Sequence, residues 1–197
     1  IVGGFLMIKI GPANLYKMSY SIMIVCLFAF YGVYVGGLGA SNMVLLFLIA
    51  GVYQIGRSLL EFTPWNVFPF IPDVDEIVTK KRREGLFAAV MTFTRKSSVA
   101  IATFAVGLIL QASGFVKGRP VQSHFVMQTI GYILIIGCVG MLVWSIALAF
   151  TFKLNKQTHL VLLNEIKRLK ANGSKDDVDP KTKEVVENLT GYKYENV

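Results

Sequence analysis

Between Lys17 and Arg57 the sequence carries no aspartate, glutamate, lysine or arginine, and the same is true between Arg119 and Lys153. Neither stretch suits a helix of a water-soluble core, because such helices keep a charged face toward solvent and average about 11–12 residues. Lipid solves the problem. A helix crossing the roughly 30 Å hydrocarbon layer needs about 20 mainly apolar residues, and each stretch is long enough for at least one crossing. The whole chain agrees: 54% of its residues are hydrophobic, only 16% are charged, and the mean hydropathy is +0.56. An all-α membrane protein is the expected fold class.

The chain opens in apolar sequence, and residues 1–8 read as the end of an earlier transmembrane helix. Residues 9–17 (KIGPANLYK) are polar enough to be a loop. Residues 18–61 hold two spans, expected at 18–38 and 42–61, separated by a glycine-rich turn over 36–42 (GGLGASN). A second loop is expected over 62–84, with Pro64, Pro69, Pro72 and the basic run TKKRREG. Residues 85–152 hold two more spans, at 85–115 and 125–152, broken at Gly118-Arg119-Pro120. Residues 153–197 form a polar tail. Its first part, 159–170, places Leu160, Leu163, Ile166 and Leu169 at helical spacing, which predicts an amphipathic helix on the membrane surface or against the loops. The end of the tail is expected as a short helix or as disordered chain.

Basic residues orient the spans. Lys9, Lys17, Lys80, Lys81, Arg82, Arg83, Lys153 and Lys156 fall at one set of helix ends, and only Lys117 and Arg119 at the other. The richer side is expected to be cytoplasmic, which makes 9–17, 62–84 and the tail cytoplasmic. The net charge of +8 is explained by this placement, so no nucleic-acid partner is inferred from it; the bilayer is the partner it implies. Cys26 and Cys138 lie inside apolar runs and read as packing residues. His124 and His159 fall on opposite sides, no phosphate-binding loop or metal-ligand spacing is present, and no enzyme, cofactor or metal site is expected.

Charges inside a span cost roughly 2.5–3.5 kcal/mol at the helix centre on insertion scales and mark function or an ion pair. Arg95 and Lys96 lie within 85–115, with Lys96 about 16 Å along the helix from Gly85 at 1.5 Å per residue. Thr92, Lys96, Ala100, Thr103 and Gly107 share one face at three- and four-residue steps, a polar, small-residue stripe suited to a water-filled cavity. The alternative is that Arg95 and Lys96 reach the interface and the span starts later. Tyr53, Gln54 and Arg57 could face the same cavity from the second span, although Arg57 with Glu61 also fits a local i, i+4 ion pair. Tyr31 and Tyr34 read as interface residues and Gly32-x-x-x-Gly36 as a packing step.

The segment Ile71-Pro-Asp-Val-Asp-Glu-Ile-Val-Thr-Lys-Lys-Arg-Arg-Glu-Gly85 resembles the loop between the tenth and eleventh helices of the glycoside–pentoside–hexuronide:cation symporters, the melibiose-carrier branch of the major facilitator superfamily. The matching positions are Asp73, Asp75, Glu76, Thr79, Arg82, Arg83, Glu84 and Gly85; Lys80 stands where glycine is common. The following helix, with Lys96, and the stretch FKLNKQTHLVLLNEI are similar to the family's eleventh helix and its exit from the twelfth. The resemblance implies a C-terminal half of a major facilitator-type bundle: the end of helix 8 plus helices 9–12. It implies cation-coupled sugar or glycoside symport by alternating access, with Na⁺ or H⁺ bound mainly by the N-terminal helices, and a bacterial plasma membrane as the location. Lys96 would then face the central cavity, and Asp73, Glu76, Arg82, Arg83 and Glu84 would form a cytoplasmic gate; a solvated topology signal is the other reading of that run. Two further classes stay open: a carrier of a non-sugar solute such as a lysolipid or organic ion, and a non-transporting membrane scaffold.

Overall fold

Helix covers most of the chain in a computed structural model that describes residues 2–38 and 42–197. In order these are α1 (Val2–Ile10), α2 (Pro12–Val35), α3 (Met43–Val67), a 3₁₀ turn (Phe68–Phe70), α4 (Ile71–Thr79), α5 (Glu84–Ala112), α6 (His124–Tyr132), a π-helical segment (Ile133–Val139), α7 (Gly140–Thr151), α8 (Lys156–Lys170), α9 (Pro180–Thr190) and a final 3₁₀ turn (Tyr194–Asn196). Among the described residues there is no strand. Four helical stretches are long and apolar enough to cross a bilayer: Pro12–Val35, Met43–Thr79, Glu84–Ala112 and His124–Thr151. The turn expected over 36–42 falls partly outside the described residues, at 39–41; within it Gly37 has φ +64°, a conformation glycine takes without a Cβ clash.

Two expected loops are helical instead. In 9–17 only Gly11, at φ +79°, interrupts the helix; Pro12 then opens α2 at the position where a missing N–H costs nothing. Polarity suggested a loop there, but polar side chains do not break a helix. In 62–84 the helix α3 continues through Pro64. The Thr63 hydroxyl donates to the Leu59 carbonyl at 2.8 Å and the Asn66 amide to the Phe62 carbonyl at 2.8 Å, giving carbonyls in the proline-distorted turn additional donors. Pro69 and Pro72 each sit in the first turn of the next helical piece, again where proline is tolerated. The helix ends only at Lys80, whose φ is +57°. That left-handed conformation costs a non-glycine residue roughly 1–2 kcal/mol.

The chain divides into two compact units. One comprises the residues up to Lys17 with 58–89 and 148–197. Its anchor points include Leu15, Thr63 and Val67, all buried, an edge-to-face contact between Tyr16 and Phe152, and the Lys17 ammonium 3.9 Å from the Phe150 ring centre. The tail belongs to this unit. Here α4, α8 and α9 pack on one another around Ile77, Leu162, Ile166, Val186, Tyr194 and Val197. The amphipathic stripe is therefore corrected: Leu162 is fully buried and Leu160 is 50% exposed. The buried face of α8 runs through His159, Leu162, Glu165 and Ile166, which an apolar stripe misses because two of its members are polar. Asn155 caps α8 reciprocally with Thr158, Asp179 caps α9, and Gly191 ends α9 at φ +74°.

The other unit comprises 18–57 and 90–147. Helices α2 and α3 approach closely at Gly56 of α3, where a Cβ would lie 3.1–3.2 Å from Ile22, Met23 and the Ser19 carbonyl on α2. Small residues at such crossings replace the hydrophobic driving force that lipid cannot supply. Ser19, Met23, Cys26, Leu27 and Val33 are buried along α2, and Val126 and Val139 along the last span. None of the residues of α5 is buried.

Candidate functional site

The charged residues after α3 converge because α4 holds its carboxylates on one turn and the left-handed Lys80 turns the following residues back. Asp73 and Glu76, three residues apart on α4, are both buried. Asp73 Oδ2 lies 2.7 Å from Nε2 of His159 on α8; with the carboxylate as acceptor, Nε2 carries the proton. The imidazole stacks on Phe70 at a centroid distance of 4.0 Å and 22°. Glu76 accepts from the Lys170 ammonium at the far end of α8. Arg82 lies over three carboxylates at once: 2.5 Å from Glu84, 3.6 Å from Asp73 and 3.7 Å from Glu76. Its side chain is 58% exposed. Asp73 Oδ1 is buried and accepts no hydrogen bond from the described residues.

Of the five expected gate residues, four meet here: Asp73, Glu76, Arg82 and Glu84. Arg83 does not join them; its guanidinium forks onto Asp75, with Nε donating at 2.9 Å, and the Thr79 hydroxyl donates to the same carboxylate at 3.3 Å. Sequence reasoning missed His159 and Lys170 as partners. They lie 86 and 94 residues from the groups they bind, and no local spacing rule reaches that far. A second polar cluster was also missed. Arg168 forks onto Glu165 at 2.8 and 2.9 Å, and the Tyr194 hydroxyl donates to the same carboxylate. The Arg168 hydrogen bonds hold the Glu165 carboxyl below its ordinary range, while burial and the carboxylate push the Tyr194 phenol up. Beside α4, burial and then Lys175 lower the Lys80 pKa.

The expected cavity residues are spread over two helices. Tyr53, Gln54 and Arg57 lie within about one turn on α3, and Thr92, Arg95, Lys96 and Thr103 along α5. Tyr53 is half-buried and the other six are exposed, so within this chain they do not close a site. Lys96 stands 12 residues beyond Glu84, about 18 Å up a helix of 29 residues. The Thr103 hydroxyl is turned back onto the Val99 carbonyl at 2.8 Å. Among the described residues, no group of three or more histidine, cysteine, aspartate or glutamate side chains is placed to hold a metal ion.

Four long apolar helices, one of them bearing a lysine far from either end, define a multi-pass α-helical membrane protein. Residues 4–156 match the family described as MFS/sugar transport protein, and the chain belongs to that family. An uncharacterised symporter of Synechocystis is 40% identical over 79 residues, covering 40% of this chain and 14% of the relative. Two proteins whose names propose sulfoquinovose import match over more of the chain. The one from Salmonella typhimurium is 26% identical over 119 residues, 60% of this chain and 25% of the relative. The one from Escherichia coli is 27% identical over 131 residues, 66% of this chain and 28% of the relative. The chain thus spans less than a third of the length of these curated relatives. No solved structure gives a significant match.

Proposed function

We propose that this chain supplies the C-terminal helices of a carrier that moves a sugar or glycoside together with Na⁺ or H⁺ by alternating access, in a bacterial plasma membrane with the tail in the cytoplasm. The observation that carries the reading is the family match over residues 4–156. The basic bias toward one set of helix ends supports the orientation.

In this reading α5 lines the central cavity. That none of its residues is buried within the chain is what a helix facing the other half of a carrier requires, since a cavity face has no packing partner in its own bundle. Lys96, Arg95, Thr92 and Thr103 would present cationic and hydroxyl groups to the solute, with Tyr53, Gln54 and Arg57 contributing from α3. A sulfonated sugar such as the one in the relatives' names would find a matching charge in Arg95 and Lys96. The coupling cation would be held mainly by acidic residues of the N-terminal helices.

Arg82 is the mobile part of the proposed gate. Asp73 and Glu76 are buried and held from α8 by His159 and Lys170, whereas Arg82 is exposed and makes two of its three contacts beyond 3.5 Å. Water screens the contacts of an exposed guanidinium, so Arg82 can exchange partners as the cytoplasmic side opens and shuts. Asp73 Oδ1 accepts no hydrogen bond from the described residues and meets Arg82 only at 3.6 Å, so it would accept a donor from the opposite half once Arg82 moves away.

The test is uptake by the intact carrier in vesicles, using a radiolabelled glycoside panel that includes a sulfonated sugar, under an imposed Na⁺ or H⁺ gradient. Gradient-driven accumulation of any member is expected, with Lys96→Ala raising KM at least tenfold. Failure of every glycoside to accumulate, with the protein demonstrably inserted, overturns the sugar reading in favour of another solute. Uptake and KM unchanged in Lys96→Ala remove the role given to Lys96.

A further inference from the structure

At the ends of the spans opposite the basic loops, the sequence puts tyrosines that the transport reading does not use. α2 closes with Tyr31, Tyr34 and Val35, at steps of three and four residues, and α6 opens with His124, Gln128 and Tyr132, at successive steps of four. Each set shares one helix face. The two faces meet in a cleft of about 380 Å³ lined by these six residues, within the size range of small-molecule sites.

Gly131 lets the faces approach. A Cβ there would lie 3.3 Å from the Tyr31 ring and 3.9 Å from that of Tyr34. The two rings are 6.2 Å apart and tilted by 45°. Tyr132 is 55% and Tyr34 43% exposed. Among the described residues, no hydrogen bond within the chain engages the three phenols, the His124 imidazole or the Gln128 amide. Directly after Tyr132 the helix widens into the π segment Ile133–Val139, a backbone form frequent at functional sites.

The chemistry of the lining is selective. Among the described residues, no lysine, arginine, aspartate or glutamate lines the cleft. What remains is aromatic faces, which stack on the C–H face of a sugar ring, and phenol, amide and imidazole groups, which pair with hydroxyls through hydrogen bonds. An interfacial aromatic belt explains tyrosines at this depth. It does not explain why a histidine and a glutamine share their helix face, or why a glycine admits the rings.

We propose that this cleft binds a neutral polyhydroxylated group, either a free sugar or the sugar headgroup of a membrane glycolipid. It is separate from the α5 cavity face and does not depend on the transport reading, because occupancy is measured without any ion gradient. The intact carrier in nanodiscs is irradiated with a diazirine-bearing β-glucoside, and the labelled peptides are mapped by mass spectrometry. Labelling is expected within residues 31–35 or 124–132, and Gln128→Ala and Tyr132→Ala are each expected to lower it at least threefold while leaving labelling elsewhere unchanged. Gln128 is exposed, so its truncation does not threaten folding. Competition by millimolar methyl β-glucoside assigns the site to a free sugar. Competition only by a glucosyl lipid added to the nanodisc assigns it to a headgroup. Absence of label from both stretches, or label indifferent to both substitutions and both competitors, overturns the proposal and leaves only an aromatic belt.

Discussion

Replacing Leu162 by alanine tests whether the tail is a docked element or a loose appendage. Leu162 is fully buried and contributes to a cluster with Ile77 of α4, Ile166, Val186 of α9, Tyr194 and the terminal Val197. Leu→Ala at such a site costs about 2–5 kcal/mol through lost transfer energy and the cavity left behind. An assembly held by so few core residues rarely has more than about 3–5 kcal/mol of net stability. The substitution therefore removes most or all of what keeps α8 and α9 on α4. At about 1.4 kcal/mol per tenfold change, opening should become roughly 30-fold to several-thousand-fold more frequent. Hydrogen exchange of the intact protein, read on peptides covering α4, α8 and α9, measures that directly. Exchange should rise across all three helices, while Leu160→Ala, at a half-exposed position, should change protection by less than about 0.5 kcal/mol. Unchanged protection of α9 in Leu162→Ala, or equal effects of the two substitutions, would refute the packing described for α8.

Acid should loosen the same region. The Glu165 carboxyl is held below its ordinary value of 4.5, so its contribution is complete above about that pH and is lost as pH falls through the lower native value. Tail protection should have an acid limb below roughly pH 4.5, and Glu165→Gln should flatten it. His159→Ala strips Asp73 Oδ2 of its 2.7 Å partner, and leaving a buried acceptor unsatisfied costs about 1–3 kcal/mol; adding Asp73→Asn should recover part of that loss in the same exchange measurement. Lys80→Gly relieves a left-handed backbone at φ +57° and should stabilise α4 by up to about 1 kcal/mol, seen as slower exchange at its C-terminal end.

How much of this was legible beforehand varied with the range of the physics. The four spans were visible because solvation by lipid imposes a length and a charge-free composition on contiguous residues, which any reader of the chain can measure. Helix inside 9–17 and 62–84 was not. Polar and proline-rich segments look like loops, yet Pro12, Pro69 and Pro72 stand in first turns and only Gly11 and Lys80 take left-handed backbone. The acidic and basic residues of the proposed gate could be named, but their pairing could not: Arg83 chose Asp75, and Arg82 took the three carboxylates.

The sequence by itself determined the solvent of this protein and its helical class, because both follow from residue types at fixed spacing along the chain. The family came from the likeness of one segment, Ile71–Gly85, to a known loop, and the match over residues 4–156 bears it out. Only the tertiary structure decided that His159 and Lys170 hold the α4 carboxylates, that Leu162 rather than Leu160 faces the tail core, and that three tyrosines share a cleft with His124 and Gln128. Those pairings join residues that are dozens of positions apart, and their energy depends on distance in space, which local periodicity does not encode.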